Sequence, residues 1–423
     1  MKKSLILAAI AALCIGCDYQ VIDVKDPIQI SSPQPTELIT KVSLTAEEAA
    51  MVESGNELTF KMFPLLQEDG KSFIFSPLSL QYALGMTANG ASGETLDQIV
   101  EALGFGTDID KLNSLCNKLL NQLPALDKEV KVQLADAILV NDKYPLQPSF
   151  KEKVESTYYA AVENMSFDDP AAVAARINDW ANRNTNGLIT KMLEPGQIHP
   201  NALAFLMNAL YFKAPWVSEG DQPIFDSDFT RDEAFHKNDG KTVQVPTMHA
   251  SEWWDYADMG DFHVVEIPYA SGKFAMYILL PKGDSFDSLK AGLPNLNWKD
   301  VRSKMKNREI YLSLPKFETS SSFTLNDALG TLGIKKAFTD NASFDLMFQD
   351  PLLKAYIDKV IQKARITVAE WGTEAAAVTV VAMCGNAMPT DPPVNFTCDH
   401  PFAYLIAEKT SGTILFAGAY MGN

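Results

Sequence analysis

The sequence predicts an α+β fold, with helices and strands segregated along the chain instead of alternating as βαβ units. Amphipathic helical patterns dominate residues 45 to 195, and strand-like runs take over afterwards. Those runs include Val264 to Ile267, Ala275 to Leu280 and Ile310 to Leu314. No internal repeat is present, and at 423 residues with 47% hydrophobic content the chain can bury a large core.

Taken in order, residues 1–17 read as an export signal. Lys2 and Lys3 precede an apolar run from Leu5 to Ile15 that is too short for a stop-transfer helix. The signal ends Leu13-Cys14-Ile15-Gly16-Cys17, which resembles a bacterial lipoprotein signal in which Cys17 becomes the lipid-bearing first residue. Cys14 stands where such signals usually carry Leu, and an ordinary secretory signal cut nearby is the alternative. Residues 18–42, with Pro27, Pro33 and Pro35 and little periodicity, read as a tether. A folded body over 43–423 then opens with Thr45 as helix cap and Glu47 and Glu48 in the first turn.

Charge and cysteine usage narrow the partners. The formal charge is −17, and removing the two lysines of the signal leaves 34 basic against 53 acidic residues, or −19. So acidic a chain disfavours nucleic acid and anionic lipid headgroups, so membrane attachment would have to come from lipid on Cys17. Beyond Cys17 only Cys116, Cys384 and Cys398 remain, too few for a disulfide framework. The sequence contains no His-Glu-x-x-His, no phosphate-cradling Gly-x-x-x-x-Gly-Lys-Ser/Thr and no Gly-x-Ser-x-Gly turn. Cys398-x-His400 offers only two metal ligands beside an apolar strand, so neither a metal, a cofactor nor catalysis is expected.

The most informative segment runs from Glu370 to Ala382. Read with period two, Thr373, Ala375, Ala377, Thr379, Val381 and Met383 share one face, and Glu374, Ala376, Val378, Val380 and Ala382 the other. A Gly/Pro/Asp-rich stretch follows, from Cys384 to Pro393, that cannot form a regular ladder. Taken alone, these residues fit a strand-competent segment entering a loop, a short Ala-rich helix or an edge strand.

The flanking blocks are specific. Phe75-Ser76-Pro77-Leu78-Ser79-Leu80, Gly90-Ala91-Ser92-Gly93-Glu94-Thr95, Asn178-Asp179-Trp180, Met207-Asn208-Ala209-Leu210-Tyr211-Phe212 with Trp216, and Glu266-Ile267-Pro268-Tyr269 occur in order. Leu314-Pro315-Lys316-Phe317, Asp399-His400-Pro401-Phe402 and Gly412 to Gly418 complete a set that resembles the serpin family from about residue 45 onward. The resemblance implies helices around a large central mixed β-sheet, two smaller sheets and an exposed reactive-centre loop at about 373–396. It also implies a monomeric suicide inhibitor of endopeptidases, in which the cleaved loop inserts into the large sheet while the protease is held as an acyl-enzyme.

By the same resemblance Glu370, Gly372, Thr373, Ala375, Ala376, Ala377 and Thr379 form the hinge, in which Thr373, Ala375, Ala377 and Thr379 are small enough to slip between packed strands as in inhibitory members. Trp216, Lys316 and Glu370 belong to the breach, where the sheet first opens. Ser72, Ser76, Ser79, Asn208 and Gln362 belong to the shutter, although Gln362 stands where a His is usual and Ser72 where an Asn is usual. Counting from Glu370 sets the scissile bond at Asn386-Ala387, with Met383, Cys384 and Met388 as alternatives. Nothing basic lies between Thr373 and Phe396, so elastase-like, subtilisin-like or papain-like targets are expected ahead of trypsin-like ones. Asp108 to Lys128 carries no basic stripe for a heparin-type activator. The alternative function is a non-inhibitory binding or chaperone-like protein, and the expected location is a bacterial envelope, on the periplasmic or outer side, or the medium.

Overall fold

The computed structural model describes residues 37–104, 108–219, 222–283, 285–373 and 392–423. Helices are α1 (Ala46–Leu66), α2 (Pro77–Ala88), α3 (Gly93–Ala102), α4 (Ile109–Gln122), α5 (Pro148–Tyr158), α6 (Pro170–Asn184), α7 (Phe286–Gly292), α8 (Trp298–Lys304) and α9 (Asn326–Thr331). Local chemistry starts them. Thr45 and Glu48 form a reciprocal capping box on α1, and Ser76 caps α2 with Pro77 in the first helical position. Almost every residue of α2 is buried, as expected of a helix that is apolar on all sides and lies inside the protein.

The strands are β1 (Phe73–Phe75), β2 (Lys131–Asn141), β3 (Ala161–Met165), β4 (Ala204–Pro215), β5 (Ser218–Glu219), β6 (Gln222–Pro223), β7 (Arg231–His236), β8 (Thr242–Asp258) and β9 (Phe262–Tyr269). They continue with β10 (Phe274–Pro281), β11 (Lys306–Pro315), β12 (Phe317–Thr324), β13 (Ile361–Ala369), β14 (Gly372–Thr373), β15 (Val394–Thr397), β16 (Phe402–Glu408) and β17 (Ile414–Tyr420). One mixed sheet has the order β12-β13-β14-β4-β2-β3, with β2 and β3 parallel. The second has the order β1-β17-β16-β10-β9-β8-β11-β15, with β7 also on β8. The two smaller sheets expected from sequence are thus one hydrogen-bonded path, because the 17-residue β8 pairs at different points with β7, β11 and β9.

Segregation along the chain is less complete than expected. Strands β2 and β3 fall inside the region read as helical. In β2 the run Leu134 to Val140 is apolar apart from Asp136 and is buried throughout, so its burial on both faces hides the alternation that marks a half-exposed strand. Strands β10, β16 and β17 are likewise buried along their whole length. A second core cluster, with Phe167, Ile177, Trp180, Leu139 and Met207, seats α6 on β2 and β4.

The centre of the second sheet leaves no room for growth. A Cβ on Gly418 would stand 2.3 Å from the Phe73 carbonyl oxygen and 2.6 Å from the Tyr404 ring. Substitution Gly418→Ala is therefore expected to cost about 1–3 kcal/mol through overpacking, seen as a lower thermal midpoint by circular dichroism; an unchanged midpoint would contradict this packing.

Candidate functional site

The middle of the first sheet is formed by β13, β14 and β4. Among the described residues β4 and β13 share no ladder with each other, and only β14 bridges them. Gly372 is registered against Pro215 and Ala369, and Thr373 against Ala214 and Val368. Gly372 has φ of 131°, and a Cβ there would stand 2.1 Å from the Ala214 carbonyl oxygen, so only glycine can begin this strand.

Around β14 the structure gathers Trp216, Lys316 and Glu370. The Lys316 Nζ lies 2.9 Å from Glu370 Oε2, and Thr230 Oγ1 donates to Glu370 Oε1 at 2.9 Å. Burial opposes ionisation of Glu370, but the bonds from Lys316, its own backbone and Thr230 outweigh it and hold the carboxyl below its ordinary pKa. Trp216 stacks on Tyr269 at 4.5 Å between centroids and 7° between planes, and its Nε1 donates to the Ala369 carbonyl at 2.8 Å. The Tyr269 hydroxyl meets Thr373 Oγ1 at 2.5 Å. Tyr269 and Thr230 were not singled out as site residues in the sequence, because what assigns them is contact with residues more than a hundred positions away.

Further down the sheet lies a polar chain. Gln362, on β13, accepts from the Ser76 N–H at 3.0 Å and donates to the Ser76 carbonyl at 2.8 Å. Ser76 Oγ donates to the Leu415 carbonyl at 2.7 Å and accepts from the Ser79 N–H. Ser79 Oγ donates to Asn208 Oδ1, and Asn208 Nδ2, on β4, donates to Asp136 Oδ1 at 2.7 Å. Four of the five expected shutter residues are therefore linked from β13 through the start of α2 to β4. Ser72 is not among them. Its hydroxyl bonds Asn423 and accepts from the Met421 N–H at 2.9 Å, because the edge position before β1 faces the end of β17.

Asp136, which extends this polar chain, is absent from the sequence reading. The signal was a single carboxylate inside the apolar run of β2. It is 5% exposed, and its Oδ2 has no hydrogen-bond partner among the described residues. Burial pushes its pKa from 3.8 up to about 7, with the Asn208 amide pulling the other way. The groups that sense it are Tyr82 on α2, Cys116 on α4 and Tyr158 on α5, all buried, with burial raising each pKa. No cation among the described residues offsets its burial.

Below the shutter lies a cavity of about 590 Å³, lined by Ile177, Leu193, Phe205 and Met207 on one side and by Ile357 and Ile361 on the other. Among the described residues no group of three or more His, Cys, Asp or Glu is placed to hold a metal. Cys116 and Cys398 are buried free thiols, and the His400 ring is engaged by Asp399 and the Pro281 carbonyl. Ala375, Ala376, Ala377, Thr379, Met383, Cys384, Asn386, Ala387, Met388 and Cys17 lie outside the described residues.

Comparison with known proteins agrees with this architecture. A family profile described as Serpin (serine protease inhibitor) matches residues 53–422. Serpin-Z2A of Triticum aestivum is 35% identical over 360 residues, covering 81% of this chain and 88% of its own. A serpin-like protein of Thermococcus kodakarensis is 30% identical over 432 residues, covering 100% and 99%. The crystal structure of Serpin48 from the insect Tenebrio molitor superposes with a TM-score of 0.77 at 27% identity, over 89% of this chain and 98% of its own. The fold and the gated sheet define a protease-inhibitor-type protein in general terms. The chain belongs to the serpin family.

Two measurements probe the shutter. Gln362→Ala leaves the Ser76 N–H unpaired in a buried site, while the Ser76 carbonyl keeps the Leu80 N–H at 3.2 Å; the change costs about 1–3 kcal/mol and is expected to hasten polymerisation on warming, followed by light scattering, and unchanged kinetics would rule out a restraining role. Asp136 favours the folded state when protonated. That stability is fully present below about pH 4, is lost as the pH rises to about 7, and amounts to on the order of 4 kcal/mol. Asp136→Asn should therefore raise the thermal midpoint at pH 8 and flatten its pH dependence between 4 and 7, whereas the parent's slope persisting in the variant would show that another group titrates.

Proposed function

We propose that this serpin is a suicide inhibitor of serine and cysteine endopeptidases. The target's nucleophile attacks a loop carbonyl, the peptide bond C-terminal to it breaks, and an acyl-enzyme remains. The freed hinge then enters the first sheet between β4 and β13. The observation that carries this reading is β14, whose Gly372 and Thr373 lie between β4 and β13 and run antiparallel to both.

Continuing its register downward gives the inserted state. Each further residue moves one position back along both neighbours, so Ala375 would meet Phe212 and Ile366, and Thr379 would meet Asn208 and Gln362. Thr373 points inward to Tyr269, hence Ala375, Ala377 and Thr379 would also point inward. Glu374, the first acid of the segment, would point outward beside Lys213, itself paired with Lys131. The small face thus meets the core and the charge meets a cation. Fourteen residues from Thr373 to Asn386 at ~3.3 Å each would carry the cleaved end roughly 45 Å, through the shutter and alongside the cavity. A dozen new backbone hydrogen bonds at ~0.5–1.5 kcal/mol each come to the order of 10 kcal/mol, comparable to the stability of a whole domain.

We assign the scissile bond to Asn386-Ala387, with Met383, Cys384 and Met388 as neighbouring alternatives, and the targets to elastase-like, subtilisin-like or papain-like enzymes. We also propose that Cys17 carries lipid and holds the domain on a bacterial envelope. What supports this is the Lys2-Lys3 start, the apolar run and the Gly16-Cys17 end. Metabolic labelling with a fatty acid would show lipid on the parent and none on Cys17→Ser, and label on both would refute it.

Brief incubation of the purified domain with pancreatic elastase, papain and trypsin tests the inhibitor reading. The expected result is a denaturant-resistant complex and a released C-terminal peptide with elastase or papain, and none with trypsin. Ala377→Arg would bury a charge against Leu210 and Ala364, so it should be cleaved at the parent's rate yet form little complex, read on a denaturing gel. Undiminished complex formation by that variant would rule out insertion in this register.

A further inference from the structure

The outer face of the β8-β11-β15 sheet carries an exposed aromatic and acidic patch. Trp253 lies opposite Glu309, and Tyr311 opposite both Ser251 and Asn395. Residues paired across a sheet share a face, so the two rings are diagonal neighbours on one surface. They are 46% and 44% exposed, while Trp254, Ile310 and Leu312, which alternate with them, are buried. Single exposed aromatics need no explanation, but two side by side on an otherwise polar strand face mark a contact surface.

The surroundings say what such a surface would hold. Glu309 and Asp255 share the face, and the Tyr311 hydroxyl donates to Glu309 Oε1 at 3.3 Å. On this face no Lys or Arg occurs from His249 to Asp255, from Asn307 to Ser313 or from Asn395 to Thr397. Aromatic faces beside carboxylates attract guanidinium and ammonium groups. The face also borders the return of the reactive segment. Arg308, next to Glu309, donates to the Pro392 carbonyl at 2.8 Å, and β15 starts two residues later against β11.

We propose that this face is a docking surface for the target protease, engaging an arginine- or lysine-bearing rim beside its active-site cleft. It rests on the reading that an endopeptidase attacks the reactive segment. Its role is distinct from trapping, since it acts on encounter. Aromatic anchors lengthen the life of the first complex, and the carboxylates steer a cationic partner toward it.

The test compares the full chain with Trp253→Ala/Tyr311→Ala and with Asp255→Asn/Glu309→Gln. The readouts are the second-order rate of loop cleavage by pancreatic elastase or papain, whichever is faster on the parent, and the fraction held as denaturant-resistant complex. The aromatic variant should be cleaved about tenfold more slowly, and the amide variant about threefold more slowly at low salt with a weaker salt dependence. Thermal midpoints should match the parent because all four side chains lie at the surface or partly exposed. Slower cleavage with complex still formed supports the surface. Slower cleavage with no complex in any of the three supports the surface and overturns trapping. Equal cleavage rates in all three at both salt levels overturn the surface and leave the inhibitor reading standing.

Discussion

Everything in this molecule depends on a ladder that two strands do not form with each other. Among the described residues, β4 and β13 share no ladder and are joined through Gly372 and Thr373 of β14. Unpaired strand edges are ordinarily a liability that proteins cover or charge. Here the two edges lie inside the sheet, and three fastenings border them. Gly372 lets the wedge approach the backbone of Ala214, Glu370 ties the turn above it to Lys316 and Thr230, and Gln362 fastens β13 to the start of α2.

The fastenings differ in strength and kind. The Glu370 carboxylate is as buried as Asp136, but the bonds from Lys316, its own backbone and Thr230 outweigh burial and favour its charged form. Gln362 uses a neutral amide whose donor and acceptor both reach one residue, giving two bonds without a titratable group. Asp136 is the opposite case, a carboxyl with one satisfied oxygen in a site where burial favours the neutral form. The top of the sheet is therefore held more firmly above the ordinary carboxylate range, while the middle is stabilised by proton uptake closer to neutrality. The two sites respond to acid in opposite senses.

Much of this was legible in the residues, and the parts that were not share a cause. Helix starts at Thr45 and Ser76 were readable because a cap is decided within four residues. Trp216, Lys316 and Glu370 were placed through resemblance, and so were Ser76, Ser79, Asn208 and Gln362. Resemblance alone also proposed Ser72, whose real partner at Asn423 is a matter of how the chain closes on itself. Strand β2 was hidden because burial on both faces erases the period-two signal, and β3 because five residues are too few to establish a period. Tyr269 and Asp136 could be seen only once distant strands were side by side, although a lone acid in an apolar run was a visible warning.

The stack of Trp216 on Tyr269 has an optical consequence. The indole ring lies flat on the phenol, its N–H is held by Ala369, and the phenol in turn contacts Thr373. If strand addition follows the proposed register, it starts beside that indole and would change the polarity and quenching around it. In a chain whose other five tryptophans are replaced, the emission of Trp216 would then time that first step without any attached label.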